Sequence, residues 1–158
     1  MECLGNDGLK IRLKSLAQVE RALAGLYRKC MEVFPSERTF WHHLMDQEEF
    51  HVRVLAKMYH IASERPEAFH SGRRYHDAAI ETFILGIRDN IACLENDELD
   101  FEKALLLSSD IENALLEKKF HEAIISKDPE FNSLVSDIVS QTQGHRNYIR
   151  DKIEKVKQ

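Results

Sequence analysis

Trp41, Leu44, Glu48, His51, Leu55 and Met58 follow one another in steps of three or four, so in a helix they share one face. Four of the six are large and apolar, which marks that face as core. Burying an unpaired carboxylate is costly, so Glu48 and His51 need a partner in that core. A metal ion would meet the need. Glu-x-x-His on a bundle helix, joined by glutamates from other helices, is the pattern of carboxylate-bridged two-metal sites.

The same layout recurs along the chain. Glu20 stands on a stripe with Leu9, Leu13, Leu16, Leu23, Tyr27 and Phe34, and Glu48 follows 28 residues later. Glu112 stands with Leu105, Ser108 and Leu115 or Leu116, Thr142 follows 30 residues later, and His145 comes three beyond. Hard carboxylate oxygens suit iron or manganese, and imidazoles complete each coordination sphere. Residues three apart face the same cavity, so one helix offers both ligand types.

Thr142 breaks the repeat. It is neutral and shorter than glutamate, a weak or water-mediated ligand at best. The three carboxylates then face two divalent ions with one positive charge in excess. A hydroxide or an exogenous carboxylate would offset it; alternatively a single ion remains, or the bundle has lost its metal and kept the residues. Gln141 and Gln143 fall on other helix faces and are not expected to substitute. Glu49 points about 100° away from Glu48.

Four long helices must position these residues. The first is expected over about 9–34, ended by Pro35, because the residue before a proline avoids helical geometry. The second spans about 36–63, with Ser36 as N-cap and Glu37 in its first turn. A polar connection leads to a middle helix, about 74–95, carrying Ile80, Phe83, Ile84 and Ile87, and Asn96-Asp97 breaks it. Asp100 caps the third long helix, about 101–126. Asp128-Pro129-Glu130 starts the fourth, about 129–153, with Phe131, Leu134, Val135, Ile138, Val139, His145 and Ile149 inward and a charged tail that frays. Short links make antiparallel neighbours, and a long piece between the second and third helices must cross over. The expected fold is therefore all-α, a single ferritin-like antiparallel four-helix bundle over 1–158 with an additional helix in the crossover. No strand-period alternation of useful length appears.

Glu20 to Tyr27, then Phe40-Trp41, then Glu48-Glu49-Phe50-His51, resemble the rubrerythrin branch of the ferritin-like superfamily, and the resemblance covers about 9–149. It implies a bridged two-iron centre, reduction of peroxide or handling of iron and oxygen, and a homodimer. Carried over position by position, the metal ligands are Glu20, Glu48, His51, Glu112 and His145, with manganese or zinc as alternatives to iron and partial occupancy at the Thr142 side. Two departures count against a peroxidase of that family. Ser109 stands where an additional carboxylate is usual. No Cys-x-x-Cys pair occurs, so an electron donor would be a separate protein.

The remaining features narrow the class. With 43% hydrophobic and 31% charged residues, and only 6 Gly and 3 Pro, the chain reads as globular and helical. A net charge of -5 argues against a nucleic-acid surface. Cys3, Cys30 and Cys93 are too scattered for a disulfide framework, and Cys30 and Cys93 read as small apolar fillers. No basic region followed by an apolar run opens the chain, and no stretch approaches the roughly 20 apolar residues that span a bilayer; a cytoplasmic protein is expected. Tyr27 should pack with its hydroxyl near the site. His42 and His43 read as surface or boundary residues, and His121 falls off the inner stripe. His60, His70 and His76 gather around the crossover, where a second metal position is the weaker idea.

Overall fold

The structure, a computed structural model, describes residues 6–71, 77–118 and 124–158. Among them the chain is almost wholly helical: α1 Asn6–Val33, α2 Arg38–Glu64, α3 Asp77–Glu95, α4 Phe101–Lys118 and α5 Pro129–Lys157. Single 3-10 turns at Pro35–Glu37 and Pro66–Ala68 open and close the second helix. None of these helices is long and apolar enough to cross a membrane.

The apolar stripes do the packing. Leu9, Leu13, Leu16, Leu23 and Tyr27 of α1 are buried against Trp41, Leu44, Leu55 and Met58 of α2. The pairing runs antiparallel. Tyr27 stacks on Trp41 near one end, while Lys10 and Lys14 cover the Tyr59 ring near the other. Helices α2 and α5 are antiparallel too: Phe40 stacks on Tyr148, and Lys57 pairs with Glu130. Phe34 meets Phe101 edge-on, and Tyr27 reaches Glu112, so α4 runs back along α1. Ile80, Ile84 and Ile87 of α3 join the same core from the side, where α3 lies along α1.

Several helix ends follow their local signals. The Asp100 carboxylate accepts from Lys103 N–H at 2.8 Å, and the Asp128 carboxylate accepts from Phe131 N–H at 2.9 Å, each satisfying an amide that the helix leaves unpaired. Asp97 takes a left-handed conformation, φ 57°, at the break after α3; aspartate tolerates this region better than most residues.

Four expectations are corrected. Ser36 is not the N-cap of α2: Pro35 starts a 3-10 turn that takes in Ser36, and Glu37 caps the helix without a side-chain bond. The third long helix does not run to residue 126: α4 is described over Phe101–Lys118, and Ile124–Ser126 is extended. Beyond it, Ile124–Ser126 pairs antiparallel with Phe69–Ser71 as a short ribbon (β2 with β1). Two consecutive β-branched residues favour extended backbone there, and Lys127 N–H donates to Ala68 O at 2.8 Å to continue the pairing. Finally, the tail does not fray at residue 151. It stays helical to Lys157 because Ile153 is buried and Lys152 pairs with Glu37 at 2.6 Å while lying over the Phe40 and Phe101 rings.

Asp128 binds two elements at once, since its second oxygen accepts from Arg65 at 2.6 Å. The Phe131 amide and the Arg65 guanidinium hold its carboxyl below the usual range. Asp128→Ala should lower the melting temperature by about 2–4 °C, the size of one lost cap in a chain of this length. Asp128→Asn, which keeps the acceptor, should recover most of the loss. Equal melting curves for all three proteins would show that the cap is dispensable.

Candidate metal centre

All five residues singled out from spacing converge on one interior layer. Glu20, Glu48, His51, Glu112 and His145 are each no more than 5% exposed. They come from α1, α2, α4 and α5, one helix turn or less from the apolar residues that bury them. Two groups form. Ligand atoms of Glu20, Glu48 and His51 lie within 4.8 Å of one another, and so do those of Glu48, Glu112 and His145.

Glu48 belongs to both groups, with one oxygen toward each. His51 Nδ1 lies 3.1 Å from Glu48 Oε2, and His145 Nδ1 lies 2.9 Å from Glu48 Oε1. Glu20 Oε1 is 3.7 Å from His51 Nδ1, and Glu112 Oε1 is 3.6 Å from His145 Nδ1. The two imidazoles stack at 5.3 Å with their planes 21° apart.

Burial makes this layer electrostatically tense. Glu20 is raised to about 7, by burial first and then by the charge of Glu48. Glu48 itself stays below the usual carboxylate range: burial and Glu112 push it up, but the two imidazoles outweigh them. Burial disfavours both imidazolium ions, yet the surrounding carboxylates lift His51 to about 11 and His145 to about 9. Without a metal, protons on the imidazoles therefore supply the positive charge.

Those protons leave the layer incompletely satisfied. Glu20 Oε2 and Glu112 Oε2 are buried with no hydrogen-bond partner, and Glu48 Oε1 and His145 Nδ1, an ion pair 2.9 Å apart, do not meet in hydrogen-bonding geometry. Such atoms are rare in folded proteins because each forfeits its hydration. Carboxylate oxygens and imidazole nitrogens gathered in this way form a donor set suited to a hard or borderline divalent cation. The residues present fit the metal that the resemblance implies.

Other expectations divide. Tyr27 is fully buried, and its hydroxyl donates to Glu112 Oε1 at 2.6 Å. Burial, then the Glu112 charge, pushes that hydroxyl well above its ordinary value, so it stays protonated as a donor. Glu49 turns out of the site to pair with Arg28 at 2.6 Å. Thr142 is buried in the layer, but its hydroxyl donates to Ile138 O, within its own helix, at 2.9 Å. Cys30 is buried, and burial pushes its thiol to about 12, as befits an inert filler. Of the crossover histidines, His60 is exposed and pairs with Glu64, while the side chains of His70 and His76 lie outside the described residues, as does His121.

The glutamines are the main correction. Gln141 was expected on another helix face, yet its Oε1 lies 2.7 Å from His51 Nε2. Gln47, not singled out at all, contacts His145 Nε2 in the same way. The signal was available: each glutamine stands four residues before the histidine of its own helix, in Gln47-Glu48-x-x-His51 and Gln141-Thr142-x-x-His145. A stripe drawn through ligands alone overlooks side chains at its margin.

Comparison with protein-family models, with curated proteins and with solved structures finds no match for this chain. Its chemistry is therefore argued from the site itself.

Tyr27→Phe isolates one contact of that site. Phenylalanine fills the same volume but leaves Glu112 Oε1 without its donor, a loss of about 2 kcal/mol for a hydrogen bond to a buried charged group. Denaturant unfolding of the metal-free protein should show a lower midpoint with an unchanged slope. An unshifted midpoint would remove the hydroxyl from the account of the layer.

Proposed function

We propose that this chain is a ferritin-like, rubrerythrin-related helical metal protein that binds two divalent ions, iron before manganese or zinc. Its role would be redox chemistry with dioxygen or peroxide, or the handling of iron. The observation that carries the reading is the pair of buried ligand groups sharing Glu48. One group of three ionisable residues is an ordinary buried pair with a neighbour. Two groups joined through the separate oxygens of one carboxylate are what a bridged two-metal centre needs.

On this reading Glu20, Glu48 and His51 would hold one ion, and Glu48, Glu112 and His145 the other. A bound pair of redox-active ions would supply the electron transfers that side chains cannot. The protein's own part is geometric and electrostatic. Tyr27 holds Glu112 in place through its hydrogen bond. Trp41, Leu23, Leu44 and Leu105, all buried to within 0% exposure, surround the layer with hydrocarbon and keep bulk water out. A low-dielectric surround strengthens every charge interaction inside it. An electron donor would be a separate protein, and self-association into a homodimer belongs to the same proposal.

Thr142 favours a second reading, a bundle that holds one ion or none and serves a binding or structural role. Its hydroxyl is turned to a backbone carbonyl rather than into the layer, so the layer has one carboxylate fewer than the repeat would provide.

Anaerobic titration with Fe(II) or Mn(II), followed by metal analysis, separates the readings by stoichiometry. Two ions per chain are expected, and Glu48→Ala and His51→Ala should each sharply reduce the bound metal. Unchanged stoichiometry in both variants would reject the centre. Thr142→Glu should raise occupancy or tighten binding, and no effect would mean that the cavity is organised around other groups. Oxidation of the ferrous protein by peroxide, sustained over several turnovers with a reductant, would distinguish redox catalysis from iron handling.

A further inference from the structure

The contacts of Gln47 and Gln141 have a symmetry that packing alone does not require. His51 on α2 presents Nε2 to Gln141 on α5, and His145 on α5 presents Nε2 to Gln47 on α2. Each glutamine sits one turn before the histidine of its own helix, yet bonds the histidine of the other. In both rings the opposite nitrogen, Nδ1, faces carboxylates: Glu48 and Glu20 for His51, Glu48 and Glu112 for His145.

We infer that Gln47 and Gln141 are positioning residues, each accepting the Nε2–H of the opposite imidazole and thereby reserving its Nδ1 for a metal ion. The inference rests on the metal reading above. An imidazole can rotate by half a turn about its bond to Cβ, which exchanges a nitrogen for a carbon at both edges of the ring. A carbonyl oxygen at the outer edge accepts from N–H and gains little from C–H, so it selects one of the two orientations. It also requires that Nε2 carry a hydrogen. The lone pair left when a cation replaces the other proton is then that of Nδ1.

One glutamine has a second histidine contact that agrees with this orientation. Its amide nitrogen, Gln47 Nε2, lies 3.1 Å from His43 Nε2, which accepts from it when protonated on Nδ1, while Gln47 Oε1 faces His145. His43 in turn rests against the Tyr148 ring at 4.7 Å.

The competing account is that the glutamines only tie α2 to α5. Two measurements on the full chain separate the accounts. The first needs no metal. In ¹⁵N-resolved spectra of the metal-free protein, the Nε2–H protons of both buried histidines should resist exchange. Gln141→Leu should release that of His51 alone, and Gln47→Leu that of His145 alone. The second uses Zn(II) as a diamagnetic probe. The wild type should show Nδ1 coordinated and Nε2 protonated in both rings. Each leucine variant should bind Zn(II) about 10–100-fold more weakly, as outer hydrogen-bond partners of metal ligands typically do. Gln47→Glu and Gln141→Glu, which keep an acceptor oxygen, should restore affinity to within a few-fold.

Coordination through Nε2, or wild-type affinity in both leucine variants, would overturn the inference while leaving the metal centre standing. So would equal weakening by leucine and glutamate, which marks a purely structural tie. Protected Nε2–H protons in a wild type that takes up no Zn(II) would overturn both proposals, and would leave the glutamines as ties.

Discussion

Glu48 sits where two requirements meet. It is 1% exposed, so its charge has lost nearly all hydration, and an isolated ion in that position would cost several kcal/mol. It also lies beside two other buried carboxylates, Glu20 and Glu112, whose charges oppose its own. Only positive charge brought to both of its oxygens makes the arrangement tolerable. His51 and His145 bring it, from the same helix and from the far one. The acids of α1 and α4 then have imidazoles to share, and the four helices close around one layer. Removing the carboxylate at the centre would leave two imidazoles without their common partner.

That layer also settles how the halves sit together. Contacts between α2 and α5 run in opposite residue order, from Phe40 with Tyr148, through Gln47 with His145 and His51 with Gln141, to Lys57 with Glu130. Apolar stripes alone would permit a slide by one turn, since leucine packs against leucine at many registers. The two glutamine–histidine contacts at the centre do not permit it. A one-turn slide would strip Nε2 of each buried imidazole of its acceptor, at a cost of the order of 1–3 kcal/mol for each. Specificity of register is therefore placed in the polar residues and adhesion in the apolar ones.

This division explains what could be read in advance. The helices were legible because their stripes repeat every three or four residues for many turns, and the buried positions of α1 and α2 follow those stripes closely. The five ionisable residues were legible because they interrupt such stripes, which hydrophobic periodicity makes conspicuous. Less legible were features set by contacts distant in sequence. The extended backbone at Ile124–Ser126, where a helix is expected, depends on β2 finding β1, more than fifty residues earlier. The ordered end of α5 depends on Glu37 and on the Phe40 and Phe101 rings. Gln47 and Gln141 matter through the opposite hairpin, and each, taken by itself, is an unremarkable half-buried amide.

The repeat is imperfect in one place, and that place bears on chemistry more than on folding. With glutamate at position 142, the layer would hold four carboxylates and two imidazoles, balanced by two divalent ions. With threonine there, a metal-free chain needs one proton fewer to reach neutrality; Glu20 is already raised toward 7, by burial first and then by the charge of Glu48. Loss of a carboxylate thus eases folding without metal and weakens the hold on a second ion. Thr142 fits that trade in its own geometry, because its hydroxyl is satisfied within α5 and asks nothing of the layer. Both groups nevertheless keep the same donors, two carboxylates and one imidazole with Glu48 in common, so the missing carboxylate is a loss shared by the layer and not by one side of it.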